Sequence, residues 1–205
     1  MYKKFGKRLI DVLLSGIGII VLAIPMLLIA VIIKCESPGP ILFKQKRITK
    51  DKKHFYILKF RTMRTDTPRD MPTHLLNNPD MYITRIGRVL RKYSLDELPQ
   101  IYNIFAGSMT IIGPRPALWN QYDLLEERDK YGANNIKPGL TGFAQINGRD
   151  ELENEVKAKL DGEYAEKISF KFDFYCFFAT ILSVIKHDGV VEGGVKGKVE
   201  EEVYK

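Results

Sequence analysis

Between Val12 and Ile33 the chain reads VLLSGIGIIVLAIPMLLIAVII, 22 residues without a charge. As one straight helix this run would reach roughly 33 Å, about the thickness of a bilayer core. Pro25, slightly past its midpoint, removes one helical hydrogen bond and clashes with the preceding turn, which predicts a kink or break. Downstream the apolar positions become periodic. A Pro/Gly turn at 37–40 leads into two short strands, Ile41 to Gln45 and His54 to Phe60, separated by a polar basic loop, which is a hairpin. Residues 64–80, with Pro68, Pro72 and Pro79, read as a long surface loop. Thr84 is placed to cap a helix to about Lys92, with Ile86, Val89 and Leu90 on one side. A second helix starts between Ser94 and Pro99 and ends at Gly107, and Met109 to Ile112 follows as a short extended piece. Residues 117–131 read as helix, and KPGLTGFAQINGR (137–149), which cannot be a long helix, as a loop system either ordered or mobile. The charged stretch 150–167 reads as an exposed helix. Phe170 to Ile185 is an apolar helix rich in aromatics, suited to core packing or to a bilayer surface, and the tail after Asp188 reads as disordered.

These elements predict an α+β fold that is mainly helical. It has an N-terminal re-entrant membrane helix, a short β-hairpin and interfacial amphipathic helices. The corresponding division is 1–36 for the membrane helix and its flank, 37–187 for a catalytic domain, and 188–205 for the tail. A cleavable signal peptide fits poorly, because the apolar run is long and no small-residue cleavage site precedes Lys34, Cys35 and Glu36. Lys3, Lys4, Lys7 and Arg8 stand before the run; Lys34, Lys44, Lys46, Arg47, Lys50, Lys52 and Lys53 follow it. A simple crossing would send one of these positive clusters outward, against the preference of Lys and Arg for the cytoplasm. A helix that dips in and returns satisfies both flanks; a single pass kinked at Pro25 is the competing reading. Asp11, one turn after Arg8, is placed to pair with it near the interface.

Composition narrows the partners. The 205 residues are 45% apolar and 28% charged, enough for one core. The net charge is +7; the last 18 residues hold five acids and three bases, so residues 1–187 carry +9. That balance predicts an anionic partner: nucleic acid, an anionic bilayer or a phosphorylated small molecule. Cys35 and Cys176 make neither a disulfide framework nor a metal cluster, and His54, His74 and His187 lack ligand spacing. There is no Walker A loop, no GxGxxG on a strand-to-helix turn and no nucleophile elbow.

The chemistry concentrates in Ser94-Leu95-Asp96-Glu97-Leu98-Pro99-Gln100. Ser94 with Glu97 makes a capping box, which would give these acids a structural role alone. Pro99 argues against that register. With Asp96 as N-cap the proline falls where its missing N–H costs nothing, and both carboxylates project from a helix start. So placed, the two can divide labour, one carboxylate acting as nucleophile on phosphorus while its neighbour helps to hold a divalent metal, Mg²⁺ being suited to binding together with substrate phosphates; the purely structural cap stays open beside this. Cations surround the pair in sequence: Lys59 and Arg61 at the hairpin end, Arg91, Arg115 and Arg149. Arg115, fixed between Pro114 and Pro116, is the best candidate for bidentate phosphate contact.

The landmarks Lys7-Arg8 with Asp11, GPILFKQKR (39–47), LKFRTM (58–63), RKYSLDELPQIYNIFAGSMTIIGPRP (91–116), KPGLTGFAQINGR (137–149) and ISFKFD (168–173) stand in order along residues 3–187. Together they resemble the monotopic phosphoglycosyl transferases, the bacterial sugar transferases of undecaprenyl-phosphate type, in their small form. The resemblance implies an enzyme of the inner membrane's cytosolic face that moves a sugar 1-phosphate from a UDP-sugar to undecaprenyl phosphate, releasing UMP and initiating glycan assembly. By that resemblance Asp96 is the nucleophile, and Glu97 assists with Mg²⁺ and the acceptor. Lys59, Arg91 and Arg115 hold phosphate; Gln145, Asn147 and Arg149 line the nucleotide or sugar side; Asp173 is a supporting acid; Arg8, Asp11 and Pro25 anchor the membrane helix. The implied partners are the UDP-sugar, undecaprenyl phosphate and membrane lipid, with no nucleic acid. The family breaks its re-entrant helix at a Ser-Pro pair, whereas here Ile24 precedes Pro25. The sugar stays open between an N-acetylated amino sugar and a plain hexose, the small form favouring the former. The reading from another class is a membrane-tethered basic module that binds anionic lipid or nucleic acid, with 94–97 only a cap.

Overall fold

The structure, a computed structural model, describes residues 2–67, 79–148 and 152–186. Most of the expected 64–80 loop, Arg149 and the tail after Asp188 lie outside the described residues. The fold is mostly helical with small β elements.

Helix α1 (Lys7–Val21) follows a wider π-helical turn at Tyr2–Gly6, and α2 (Ala23–Glu36) continues the apolar run after a bend of 59°. The break falls at Leu22 (φ −88, ψ 0) rather than at Pro25 itself. Pro25 is the third residue of α2, and a proline ring collides with the carbonyl four residues back, here that of Val21. Helical bonds persist on either side: the Leu22 N–H donates to Gly18 at 2.8 Å, and the Met26 N–H to Leu22 at 2.9 Å. Among the described residues no single helix is long and apolar enough to cross a membrane; the bent pair passes that test only together. α1 lies on α4 (Gln100–Ala106). Their approach depends on Gly18, where a Cβ would stand 2.4 Å from Ile101 Cδ1.

Strands β1 (Leu42–Ile48) and β2 (His54–Phe60) form the antiparallel hairpin, with Leu42 opposite Phe60 and Ile48 opposite His54. β1 runs three residues past the expected end at Gln45. Ile48 is buried there and its N–H donates to the Ala117 carbonyl at 3.0 Å, so a long-range contact extends the strand. Helix α3 (Arg85–Lys92) is capped as expected, the Thr84 hydroxyl accepting from the Gly87 N–H at 3.0 Å.

The expected loop system contains a strand. β3 (Thr110–Ile112) pairs in parallel with β4 (Gly139–Thr141), and α6 (Phe143–Ile146) follows directly. Helix α5 (Tyr122–Lys130) starts five residues later than expected. Ala117 and Leu118 are instead held extended and buried, Leu118 bridging to Arg47. Helix α7 (Asn154–Lys167) is not an exposed helix. It buries Ala158, Asp161, Gly162, Tyr164 and Ala165 on one side, Arg128 of α5 pairing with Asp161 at 2.6 Å. Helix α8 (Phe170–Lys186) buries Asp173 and Cys176 but leaves Phe170, Phe174, Tyr175, Phe178 and Leu182 exposed.

One core cluster positions the site. Met26 and Ile33 of α2 pack with Phe60 and Leu90, and Leu95 and Leu98 lie against them. The turn carrying the two candidate acids is thereby seated on the bent apolar pair. The outward side of that pair, including Leu13, Ile20, Ile24, Leu27 and Leu28, stays exposed.

Candidate active site

Asp96 and Glu97 sit in a 3₁₀ turn, Leu95–Glu97, between α3 and α4. This corrects both expected registers. Ser94 adopts left-handed backbone (φ +54) and makes no cap bond through its side chain; Pro99 occupies the N-cap position and α4 begins at Gln100. The left-handed residue turns the chain sharply out of α3, so the acids project beside β2 rather than along a helix axis.

Three of the expected cations converge on them. Lys59, the penultimate residue of β2, donates to Glu97 Oε1 at 2.7 Å and stands 3.9 Å from Asp96 Oδ2. Arg115 reaches Glu97 Oε1 at 3.4 Å. Arg91 of α3 adds its field to Asp96, and its Nε donates to the Thr62 hydroxyl at 2.9 Å. Among the described residues no hydrogen bond is directed at the Asp96 carboxylate. Its carboxyl is held above the ordinary range, first by burial and then by the charge of Glu97, while Lys59, Arg91 and Arg115 pull it back.

The Arg115 loop is pinned from three sides. The Gly113 N–H donates to Thr141 at 2.7 Å, the Gly139 N–H to Pro114 at 2.8 Å, and Arg128 to the Arg115 carbonyl at 3.0 Å. A Cβ on Gly142 would stand 2.1 Å from the Gly113 carbonyl oxygen, so the two loops meet backbone to backbone. Arg128 was not expected from sequence. Its signal was there: with Leu124 and Leu125 it lies on the buried face of α5, where an arginine needs a partner.

Among the described residues no hydrogen bond joins the other expected residues to Asp96, although Gln145 lies beside the Arg115 loop, its Oε1 3.0 Å from where a Cβ on Gly142 would stand. Gln145 on α6 is buried, and among the described residues neither polar atom of its side chain has a hydrogen-bond partner. Asn147 is exposed and caps α6 by donating to the Phe143 carbonyl at 2.7 Å. Arg61 is a structural residue, its guanidinium donating to the Pro38 and Ser37 carbonyls past the end of α2 at 2.5 and 2.8 Å. Arg8 and Asp11 do not pair. Arg8 donates to the Ile104 and Phe105 carbonyls at the end of α4, both at 2.7 Å, and Asp11 accepts from the Thr110 hydroxyl at 2.7 Å and the Ile111 N–H at 3.0 Å. Each therefore ties α1 to the folded body. Asp173 accepts from Tyr2, Lys7 and Tyr164 at 2.5, 2.5 and 2.6 Å, clasping the amino-terminal turn to α7 and α8.

Among the described residues no three His, Cys, Asp or Glu side chains converge as a metal cage. Asp96 and Glu97 offer two hard oxygen donors. That set fits Mg²⁺, which takes few protein carboxylates and completes its shell with water and substrate phosphates.

Residues 2–187 match the sequence profile of the family described as bacterial sugar transferase. The chain belongs to this family. It is 35% identical over 184 residues to the uncharacterized sugar transferase EpsL of Bacillus subtilis, covering 90% of this chain and 89% of that protein. It is 34% identical over 186 residues to the UDP-N-acetylgalactosamine-undecaprenyl-phosphate N-acetylgalactosaminephosphotransferase of Aeromonas hydrophila, covering 88% of this chain and 44% of that enzyme. It is 38% identical over 183 residues to the UDP-glucose:undecaprenyl-phosphate glucose-1-phosphate transferase of Escherichia coli, covering 85% and 39%. The family assignment supports a transferase activity, and places the acids and cations above within a bacterial sugar transferase.

Proposed function

We propose that this bacterial sugar transferase moves a sugar 1-phosphate from a UDP-sugar to undecaprenyl phosphate through a phosphosugar ester on Asp96, as the initiating membrane step of a bacterial glycan. The observation that carries the reading is the buried Asp96 carboxylate, without a hydrogen bond among the described residues and facing Lys59, Arg91 and Arg115. A carboxylate so placed is desolvated, which strengthens it as a nucleophile, and three cations offset the charge of an incoming diphosphate.

In the first half-reaction an Asp96 carboxylate oxygen bonds to the sugar-bearing phosphorus. The bond from that phosphorus to the bridging oxygen breaks, and UMP leaves with the electron pair. In the second, an oxygen of undecaprenyl phosphate attacks the same phosphorus and the Asp96–phosphorus ester breaks, returning the carboxylate. Arg115 and Lys59 hold phosphate oxygens through both halves, and Glu97 keeps Lys59 oriented. Asp96 and Glu97 would hold Mg²⁺, whose bound charge supplies further stabilisation of the phosphate oxygens.

A lipid acceptor requires the nucleophile at the headgroup level. The bent apolar pair beneath Leu95 and Leu98 supports a re-entrant anchor that sets this height from the cytosolic face, and the exposed aromatic side of α8 supports interfacial seating. UMP release from a panel of UDP-sugars, with undecaprenyl phosphate and Mg²⁺ in detergent, tests the activity and identifies the sugar. Asp96→Asn is expected to lower the rate by on the order of a thousandfold or more; a rate near wild type would overturn the role of Asp96.

A further inference from the structure

A second basic site lies at the opposite end of α4 from Asp96. A cavity of about 380 Å³ opens beneath the amino-terminal turn, lined by Lys3, Lys4, Lys7, Arg8, Lys50 and Lys137 with Asp11 as its one acid. Contacts inside the protein account for part of this charge. Lys3 donates to the Ala165 carbonyl, Lys7 pairs with Asp173, and Arg8 is spent on the carbonyls that end α4. Asp11 is likewise occupied by Thr110 and Ile111. Lys4 and Lys137 have no ion pair or hydrogen bond among the described residues, and Lys50 reaches only its neighbour Asp51, at 3.9 Å.

Lys137 is the telling member. It is half-buried, and both its ammonium and the Arg8 guanidinium crowd Gly107: a Cβ there would stand 3.6 Å from Lys137 Nζ and 3.1 Å from Arg8 Nη2. Burial, then Arg8, lowers the Lys137 pKa. Asp11 offsets part of this, and the two cations that face Gly107 in a concave site favour an anion beside them. The surroundings name the anion's carrier. Phe5 and Leu9, next in sequence to the lining residues Lys4 and Arg8, are exposed, as are Phe170 and Phe174, and the Tyr2 ring of the same amino-terminal turn meets Phe170. A phosphate with acyl chains attached satisfies both the cations and these side chains.

We propose that this cavity binds the phosphate group of an anionic phospholipid, which Lys4, Lys50 and Lys137 hold at the foot of the amino-terminal turn. The lipid source rests on the membrane reading above. The test keeps the two separate by using the full chain in nanodiscs of phosphatidylcholine with or without phosphatidylglycerol. Native mass spectrometry after release from mixed nanodiscs is expected to find one retained phosphatidylglycerol on wild type and on Lys44→Gln/Lys53→Gln, an equal charge change on the hairpin surface. The Lys4→Gln/Lys137→Gln variant is expected to lose that lipid, with affinity for phosphatidylglycerol down on the order of tenfold, while still inserting into phosphatidylcholine alone. Retention by the cavity variant, or equal loss in both variants, would overturn the proposal. So would inorganic phosphate alone protecting the wild type in lipid-free detergent against heat as well as phosphatidylglycerol does. Failure of wild type to insert into phosphatidylcholine would instead count against the membrane reading.

Discussion

Asp96 carries its charge at a cost. Burial raises its pKa, and a carboxyl raised in the folded state gives stability that is present at low pH and lost as pH rises through the folded value. Asp96→Asn removes that loss, so thermal melting should show the variant to be more stable than wild type at neutral pH, with the gain vanishing below the ordinary carboxylate range. Lys59 is the largest of the cations that pull the Asp96 pKa back down. Attack by Asp96, as proposed, requires the ionised form, so activity should fall as pH drops through this pKa. In Lys59→Met the acidic limb of the pH–rate profile should move to higher pH, on top of a lower maximum; an unmoved limb would separate Lys59 from Asp96. That Asp96 and Lys59 are candidates could be read from sequence, because acids beside a proline-marked helix start and a lysine in LKFRTM are local signals, and the structure brings the two to 3.9 Å. Their geometry could not. Ser94 takes positive φ without being glycine, and the Arg8–Asp11 pair dissolves because each side chain finds a partner about a hundred residues away.

Among the elements, those that depend on long-range pairing leave no local signal in the sequence. β4 is three residues long, sits among glycines and prolines, and exists because β3 lies parallel to it. The charge along α7 hid a buried face at Ala158, Asp161, Gly162 and Ala165, a spacing of three and four that is helical periodicity carried by small residues. Both elements bear on Arg115. Gly142→Ala would drive a methyl into the Gly113 backbone, and such overpacking costs about 1–3 kcal/mol. Denaturant melting should register that loss, and kcat/KM should fall with it because the Arg115 loop is displaced. Arg128→Met leaves Asp161 buried without its partner, a loss of about 3–5 kcal/mol in comparable pairs. Adding Asp161→Leu should recover stability but not kcat/KM, since the donor to the Arg115 carbonyl is still missing. Recovery of both would mean that Arg128 serves the fold alone.

Across the molecule, the cluster of Met26, Ile33, Phe60 and Leu90, on which Leu95 and Leu98 pack, joins the bent apolar pair to the turn that carries Asp96 and Glu97. A re-entrant path puts the amino terminus and the end of α2 on one side of the bilayer. Cysteine labelling in intact cells should therefore reach neither the exposed Cys35 nor a Tyr2→Cys substitution from outside, and both after permeabilisation; labelling of residue 2 from outside would establish a crossing helix. The proposed reaction passes through one bond, from an Asp96 carboxylate oxygen to phosphorus. Wild-type protein incubated with its UDP-sugar and Mg²⁺, without acceptor, should gain the mass of one sugar phosphate, mapping to the peptide that carries Asp96 and discharged by undecaprenyl phosphate. An unchanged mass under conditions that support turnover, or the adduct on any other residue, would contradict it.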